Sequence, residues 1–168
     1  YKVMGMAPYG TPSRVEDIEK VVQRFDDGSI WLDPRYFSFH RSTSRSYTSK
    51  FEKIFGEPRD PDRPFFTEST GYPADYGEKP TYSAEQIAYN QKYADIAASI
   101  QFVTEEIILT LARKLHKDTG STKLCLAGGV ALNSVANGRI LRETPFEELY
   151  IQPAAGDDGG ALGAALLA

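Results

Sequence analysis

Residues Lys123–Ile140 read KLCLAGGVALNSVANGRI, and after a short link Glu148–Ala168 read ELYIQPAAGDDGGALGAALLA. Leu124, Cys125, Leu126 and Ala127 form an apolar run without helical period, bounded by Gly128-Gly129. This pattern predicts a buried strand that stops at a glycine turn, with Cys125 as a small buried hydrophobe inside it. From Val130 to about Arg142 the spacing becomes helical, with Val130, Val135, Ile140 and Leu141 as the apolar positions. Leu149, Tyr150 and Ile151 predict a second short strand ended by Pro153. A loop at Gly156-Asp157-Asp158-Gly159-Gly160 then leads into a helix of small residues from about Ala161 to Ala168.

Two strand–glycine loop–helix units in succession predict parallel α/β architecture. Ligands in such sheets sit beyond the carboxyl ends of the strands, where both glycine loops fall. Each loop also opens a helix, so unpaired backbone N–H groups point into that space, and glycine removes the Cβ that would hold a phosphate or base away. Asp157 and Asp158 bring carboxylate oxygens to the same edge, a donor type suited to a hard or borderline cation.

GGVALN at Gly128–Asn133 resembles the GGVAxN motif of Kae1-like proteins in the actin/Hsp70/sugar-kinase superfamily. GDDGGALGAA at Gly156–Ala165 is similar to the acidic glycine loop that closes the metal-nucleotide site there. Ala94–Gln101 resembles the start of the long helix that precedes the first strand. KVMGMAPYG at Lys2–Gly10, taken with the two later motifs, resembles the narrower NodU/CmcH-type carbamoyltransferases.

The resemblance implies an α/β fold: an incomplete lobe of the ribonuclease H-like, actin/Hsp70-type (ASKHA) architecture with an irregular Pro-rich insertion. It implies one domain fragment over residues 1–168, with a hairpin, short helices and loop in 1–80 and the α/β core in 81–168. It implies an ATP-dependent O-carbamoyltransferase. Such an enzyme takes carbamoyl phosphate and ATP through a carbamoyl adenylate and transfers the carbamoyl group to a hydroxyl-bearing small molecule. Gly128, Gly129, Val130, Asn133, Gly156 and Asp157 then belong to the nucleotide site. Asp158 would be the metal ligand, for iron or another divalent transition metal, a homodimer is one assembly open to the protein, and the single cysteine fits a reducing cytoplasm. The resemblance singles out no catalytic residue and no acceptor pocket. The family's metal site also needs an HxxxH pair, which is expected upstream of Tyr1, and a carbamoyl-activating module is expected downstream. The chain is therefore read as a piece of a longer protein, inactive alone. Lys2–Gly10 would lie as a loop and helix end beside the nucleotide cleft. The alternatives are a threonylcarbamoyl transferase or sugar kinase of the same fold, or a non-catalytic nucleotide-binding scaffold.

The bulk properties agree with such a domain. The chain has 168 residues, one cysteine and a formal net charge of −4. That length can bury a core, the single cysteine rules out an internal disulfide, and the charge gives no basic face for nucleic acid. No apolar run approaches the ~20 residues that a membrane-spanning helix needs.

In the first half, Arg14–Phe25 carries helical spacing at Val15, Ile18, Val21, Val22 and Phe25, with Ser13 and Glu16 as a capping box. Ile30–Leu32 and Tyr36–Phe39 are β-prone runs around Asp33-Pro34-Arg35, a predicted hairpin. His40 and His116 read as surface residues, the latter near a helix C-terminus. Phe51, Ile54 and Phe55 predict a short helix stopped by Gly56. Glu57–Pro80 is Pro-rich loop, a length usually reserved for function or disorder. Ser83 with Gln86 opens a long helix whose apolar positions run from Ile87 through Tyr93, Ile96, Ala97, Ile100, Val103 and Ile107 to Leu111 and Leu115, ending at Gly120. That stripe should lie on the sheet.

Overall fold

The computed structural model describes residues 2–72, 75 and 77–167. Pro73 of the predicted loop and Ala168 of the predicted last helix lie outside them. The chain divides into two compact units, one of Tyr1–Arg24 with Ile30–Val103, the other of Phe25–Ser29 with Thr104–Ala168.

In the first unit, α1 (Lys2–Met6) runs into a 3₁₀ turn at Ala7–Tyr9 that has Pro8 at its start. The chain then crosses the long helix α4 (Ala84–Thr119), which contributes residues as far as Val103 to this unit. Contact is so close that a Cβ on Gly10 would stand 2.1 Å from the Ala94 carbonyl oxygen. The surface of α4 permits it, because Ala94, Ala97, Ala98 and Ser99 are small and buried. The Thr11 N–H donates to Asp95 Oδ1 at 2.9 Å and the Arg14 N–H to Ser99 Oγ at 2.9 Å.

The predicted helix over Arg14–Phe25 shrinks to α2 (Val15–Glu19), and no Ser13–Glu16 capping box forms, since Arg14 is the cap residue and makes no side-chain cap bond. Ser99 of α4 serves the Arg14 N–H instead. Val21 and Val22 are β-branched, and Val22–Arg24 leaves the helix as strand β1. It pairs antiparallel with β2 (Ile30–Leu32), Gln23 opposite Trp31. The predicted partner, Tyr36–Phe39, makes only an isolated bridge from Phe37 to Tyr47. Asp33 explains the change: its carboxylate takes the Arg35 backbone and guanidinium N–H groups and closes a turn that carries the chain out of the sheet. Helix α3 (Ser49–Phe55) stops at Gly56, with φ +83°, as expected. Helix α4 opens with the predicted capping box: Gln86 N–H donates to Ser83 Oγ, and Ser83 N–H to Gln86 Oε1 at 2.9 Å.

In the second unit α4 supplies Thr104–Thr119 and stops at Gly120, with φ +67°. Strand β3 (Lys123–Leu126) pairs parallel with β4 (Glu148–Ile151), Leu124 opposite Leu149. Between them runs α5 (Ser134–Glu143), and α6 (Gly159–Leu167) follows β4. One face of the sheet packs into a core of Leu109, Ala112, Leu124, Ile140 and Phe146, flanked by Ile108, Leu126 and Leu149. In this half of α4 the sheet is covered by Leu109 and Ala112, which lie off the predicted stripe, whereas its Leu111 and Leu115 are exposed.

Cys125 is exposed, not buried. It alternates with Leu124 across the pleat, and only the Leu124 face is covered by the core. Similarly, α5 begins later than the spacing implied and buries Ala136, Asn137 and Ile140, leaving Val130, Val135 and Leu141 in the open. Apolar spacing identified the helix but not the face it buries.

Candidate functional site

The two glycine loops emerge side by side from the carboxyl ends of paired parallel strands, β3 and β4. They are joined there: the Gln152 N–H donates to the Leu126 carbonyl at 3.4 Å, and the Gly128 N–H to the Ala155 carbonyl at 2.7 Å. Gly128 holds φ +94°, a conformation that L side chains rarely adopt, so a glycine is required where the strand turns toward the second loop. A 3₁₀ turn at Gly129–Leu132 follows. Its first N–H groups, on Gly129 and Val130, lack partners inside the turn by geometry. The Gly128 N–H is committed to Ala155, so any anion at this edge would meet the amides of Gly129 and Val130.

No atom stands within 4 Å of where a Cβ on Gly128 or Gly129 would sit, so both face open space. Asn133 takes a different place from its neighbours. It is 4 % exposed, and its Oδ1 accepts the Ala136 N–H at 3.2 Å as the N-cap of α5. Asn137 Nδ2 donates to the Ala131 carbonyl at 2.7 Å and fixes the 3₁₀ turn on the helix. Asn133 therefore acts on the loop from within, by holding its shape.

In the second loop the Gly159, Gly160 and Ala161 N–H groups fold back onto the carbonyls of Gly156, Asp157 and Asp158. A Cβ on Gly159 would meet the Ala154 carbonyl oxygen at 2.6 Å, so this glycine is needed for a close backbone approach. Asp158 Oδ1 leans over Gly156, 3.3 Å from where a Cβ there would be. Both carboxylates are exposed, and neither makes a side-chain hydrogen bond or ion pair among the described residues. Asp158 could have capped α6 with its side chain, but only its backbone carbonyl serves the helix. Two adjacent carboxylates with free oxygens suit a shared cation. No group of three or more His, Cys, Asp or Glu side chains able to hold a metal occurs among the described residues.

Behind the site, Arg139 of α5 donates to Glu105 and Glu106 of α4 and to Glu143. These bonds raise the guanidinium pKa, and the Arg139 hydrogen bond holds the Glu143 carboxyl below its usual value. The cluster clamps α5, and hence the Asn133 cap, against the second half of α4. Of these features, the Ala155 carbonyl and the Arg139 cluster were not read from the sequence. A backbone acceptor leaves no residue-type signal, and Glu105 and Arg139 lie 34 positions apart.

A model of the family described as the carbamoyltransferase N-terminus matches residues 1–166. This chain belongs to the carbamoyltransferase N-terminal family. An uncharacterised protein of Synechocystis sp. is 43 % identical over 169 residues, covering 99 % of this chain and 23 % of that protein. The nodulation protein NolO of Bradyrhizobium diazoefficiens is 34 % identical over 167 residues, covering 99 % of this chain and 24 % of NolO. A tRNA N6-adenosine threonylcarbamoyltransferase of Thermomicrobium roseum is 31 % identical over 83 residues, 49 % of this chain and 23 % of that enzyme. The chain thus spans about a quarter of the length of the curated relatives it matches. As a carbamoyltransferase N-terminal chain it carries both glycine loops inside the matched region, and no helix among the described residues is long and apolar enough to cross a membrane.

Proposed function

We propose that this chain forms part of an ATP-dependent O-carbamoyltransferase, and that its two joined glycine loops hold the nucleotide and one side of a divalent cation. The observation that carries this is the Gly128–Ala155 bond, which sets the open amides of the first glycine loop beside a second loop that carries a pair of unpartnered carboxylates. In a carbamoyltransferase family, that arrangement suits a phosphate-bearing, metal-linked substrate.

The amides of Gly129 and Val130 would donate to nucleotide phosphate oxygens, with Gly156 and Asp157 lining the opposite loop. Asn133 and Asn137 keep the first loop in shape. Asp158 would be the cation ligand, with Asp157 next to it. A bound divalent metal such as iron supplies Lewis acidity toward a phosphate or acyl oxygen. Carbamoyl phosphate would be the carbamoyl source, a carbamoyl adenylate the intermediate, and a small-molecule hydroxyl the acceptor. The actin/Hsp70-type lobe fits the similarity to a threonylcarbamoyltransferase. That similarity also supports a second reading, in which the acceptor is an amine or nucleoside.

The whole protein, given ATP, carbamoyl phosphate and a panel of sugar hydroxyls, should yield a carbamoylated product by mass spectrometry. Product from threonylcarbamoyl donors alone would favour the second reading. Gly129→Val places a branched side chain in space that is open here, so the variant should fold normally and bind ATP at least tenfold more weakly in calorimetry. Unchanged ATP affinity would reduce the loop to a turn.

A further inference from the structure

The first unit contains a cavity of about 510 Å³, distant in kind from the glycine loops because its walls are nearly all apolar. Phe37, Phe51, Phe55, Tyr93, Ile96 and Ile100 line it. Its size falls in the range of small-molecule pockets, roughly 300–1,000 Å³. The polar exceptions come from the Pro-rich segment: Glu57 and Arg59 also line the space. Glu57 is exposed, and its backbone carbonyl takes the Tyr93 hydroxyl at 2.9 Å. Burial raises the Tyr93 pKa, so the phenol stays neutral.

Arg59 stands out. Its Nη1 and Nη2 donate to the backbone carbonyls of Asp60 and Arg63, and its guanidinium lies over the Phe65 ring. Its Nε is buried and has no hydrogen-bond partner among the described residues. No carboxylate pairs with this cation among them either. A buried donor left unmade costs free energy.

We propose that this cavity binds an amphipathic carboxylate, a medium-length acyl or aromatic acid, with its apolar body among the phenylalanines and isoleucines and its carboxylate on Arg59. The ligand would cover the apolar walls, supply the acceptor that Nε lacks and balance the charge. The long Pro-rich loop then has a role, since its rigid turns hold Arg59 at the cavity. This site is independent of carbamoyl transfer.

The test titrates octanoate and 1-octanol into the whole protein by calorimetry, in wild type and in the Arg59→Gln and Ile96→Trp variants. Octanoate should saturate one site and bind more tightly than 1-octanol. Arg59→Gln should weaken octanoate roughly tenfold or more, the effect of one charged hydrogen bond, and leave 1-octanol unchanged. Ile96→Trp fills the cavity and should remove both. Should that variant misfold, the Arg59→Gln comparison decides alone. Equal binding of acid and alcohol, or octanoate affinity indifferent to Arg59→Gln, would overturn the assignment. So would no binding of either compound to the folded whole protein, which would mean that another part of the polypeptide fills the cavity.

Discussion

Asp158 was open to two accounts, a helix cap or a cation ligand, and the geometry speaks against the first. A capping carboxylate accepts a backbone N–H within its own helix start, and losing it costs about 0.5–2 kcal/mol. The Asp158 side chain accepts none, while its backbone carbonyl takes the Ala161 N–H. Asp158→Asn therefore removes charge but no structural bond. In the whole protein it should leave the unfolding midpoint unchanged, lower the bound metal measured by elemental analysis, and abolish carbamoyl transfer. Asp157→Asn should be milder on metal and activity. Wild-type metal content in folded Asp158→Asn would remove Asp158 from the ligand set. At this scale the sequence was informative where backbone geometry depends on residue type, as at Gly128 and Gly159. It was silent on Ala155, whose contribution is a carbonyl that any residue possesses.

Helix α5 is held by its cap at one end and by Arg139 on its flank. Breaking the latter takes a charged donor away from the buried Glu105 carboxylate. Arg139→Met should destabilise the chain by about 1.5–3 kcal/mol, the order of a hydrogen bond between charged groups. The effect should depend on pH. Glu143 is held below the ordinary glutamate value of 4.5, so its stabilisation is present above that value and is lost as pH falls through its lowered pKa. Thermal unfolding of wild type should weaken on acidification below pH 4.5, and Arg139→Met should flatten that part of the profile. An identical acid profile in both proteins would show that the cluster contributes nothing. Elements were legible when their signals were local. The Ser83–Gln86 box and Gly120 bounded α4, and Gly56 bounded α3. Pairing was not local. Ile30–Leu32 could have joined either neighbour, and the turn at Asp33 decided against Tyr36–Phe39. Nor does an apolar spacing state which side is covered, which is why Val135 and Leu141 were misread.

Across the whole molecule, the chain has a glycine-loop edge and two carboxylates, yet no three-ligand metal group among the described residues. Its relatives are about four to five times as long. The 168 residues alone should therefore give no carbamoylated product from ATP, carbamoyl phosphate and simple alcohols. Steady turnover would mean that the chemistry needs nothing outside this chain. Several large apolar side chains also stand in solvent, among them Val130 at 60 %, Leu166 at 78 % and Leu167 at 91 %. Such exposure marks contact surfaces in soluble proteins and makes self-association of the isolated chain the expected behaviour.

The bare side of the β3–β4 sheet offers a way to measure how that exposure changes in the whole protein. Parallel sheets are normally sheathed on both sides. The single thiol of this sequence, Cys125, sits on the uncovered side and acts as a built-in reporter of sheathing. Alkylation with iodoacetamide, followed at the Cys125 peptide by mass spectrometry, should be fast in the isolated chain. In the whole protein it should slow by an order of magnitude or more if other segments lie over the strand. The ratio of the two rates then reads out, at one atom, how much of this face the rest of the polypeptide protects.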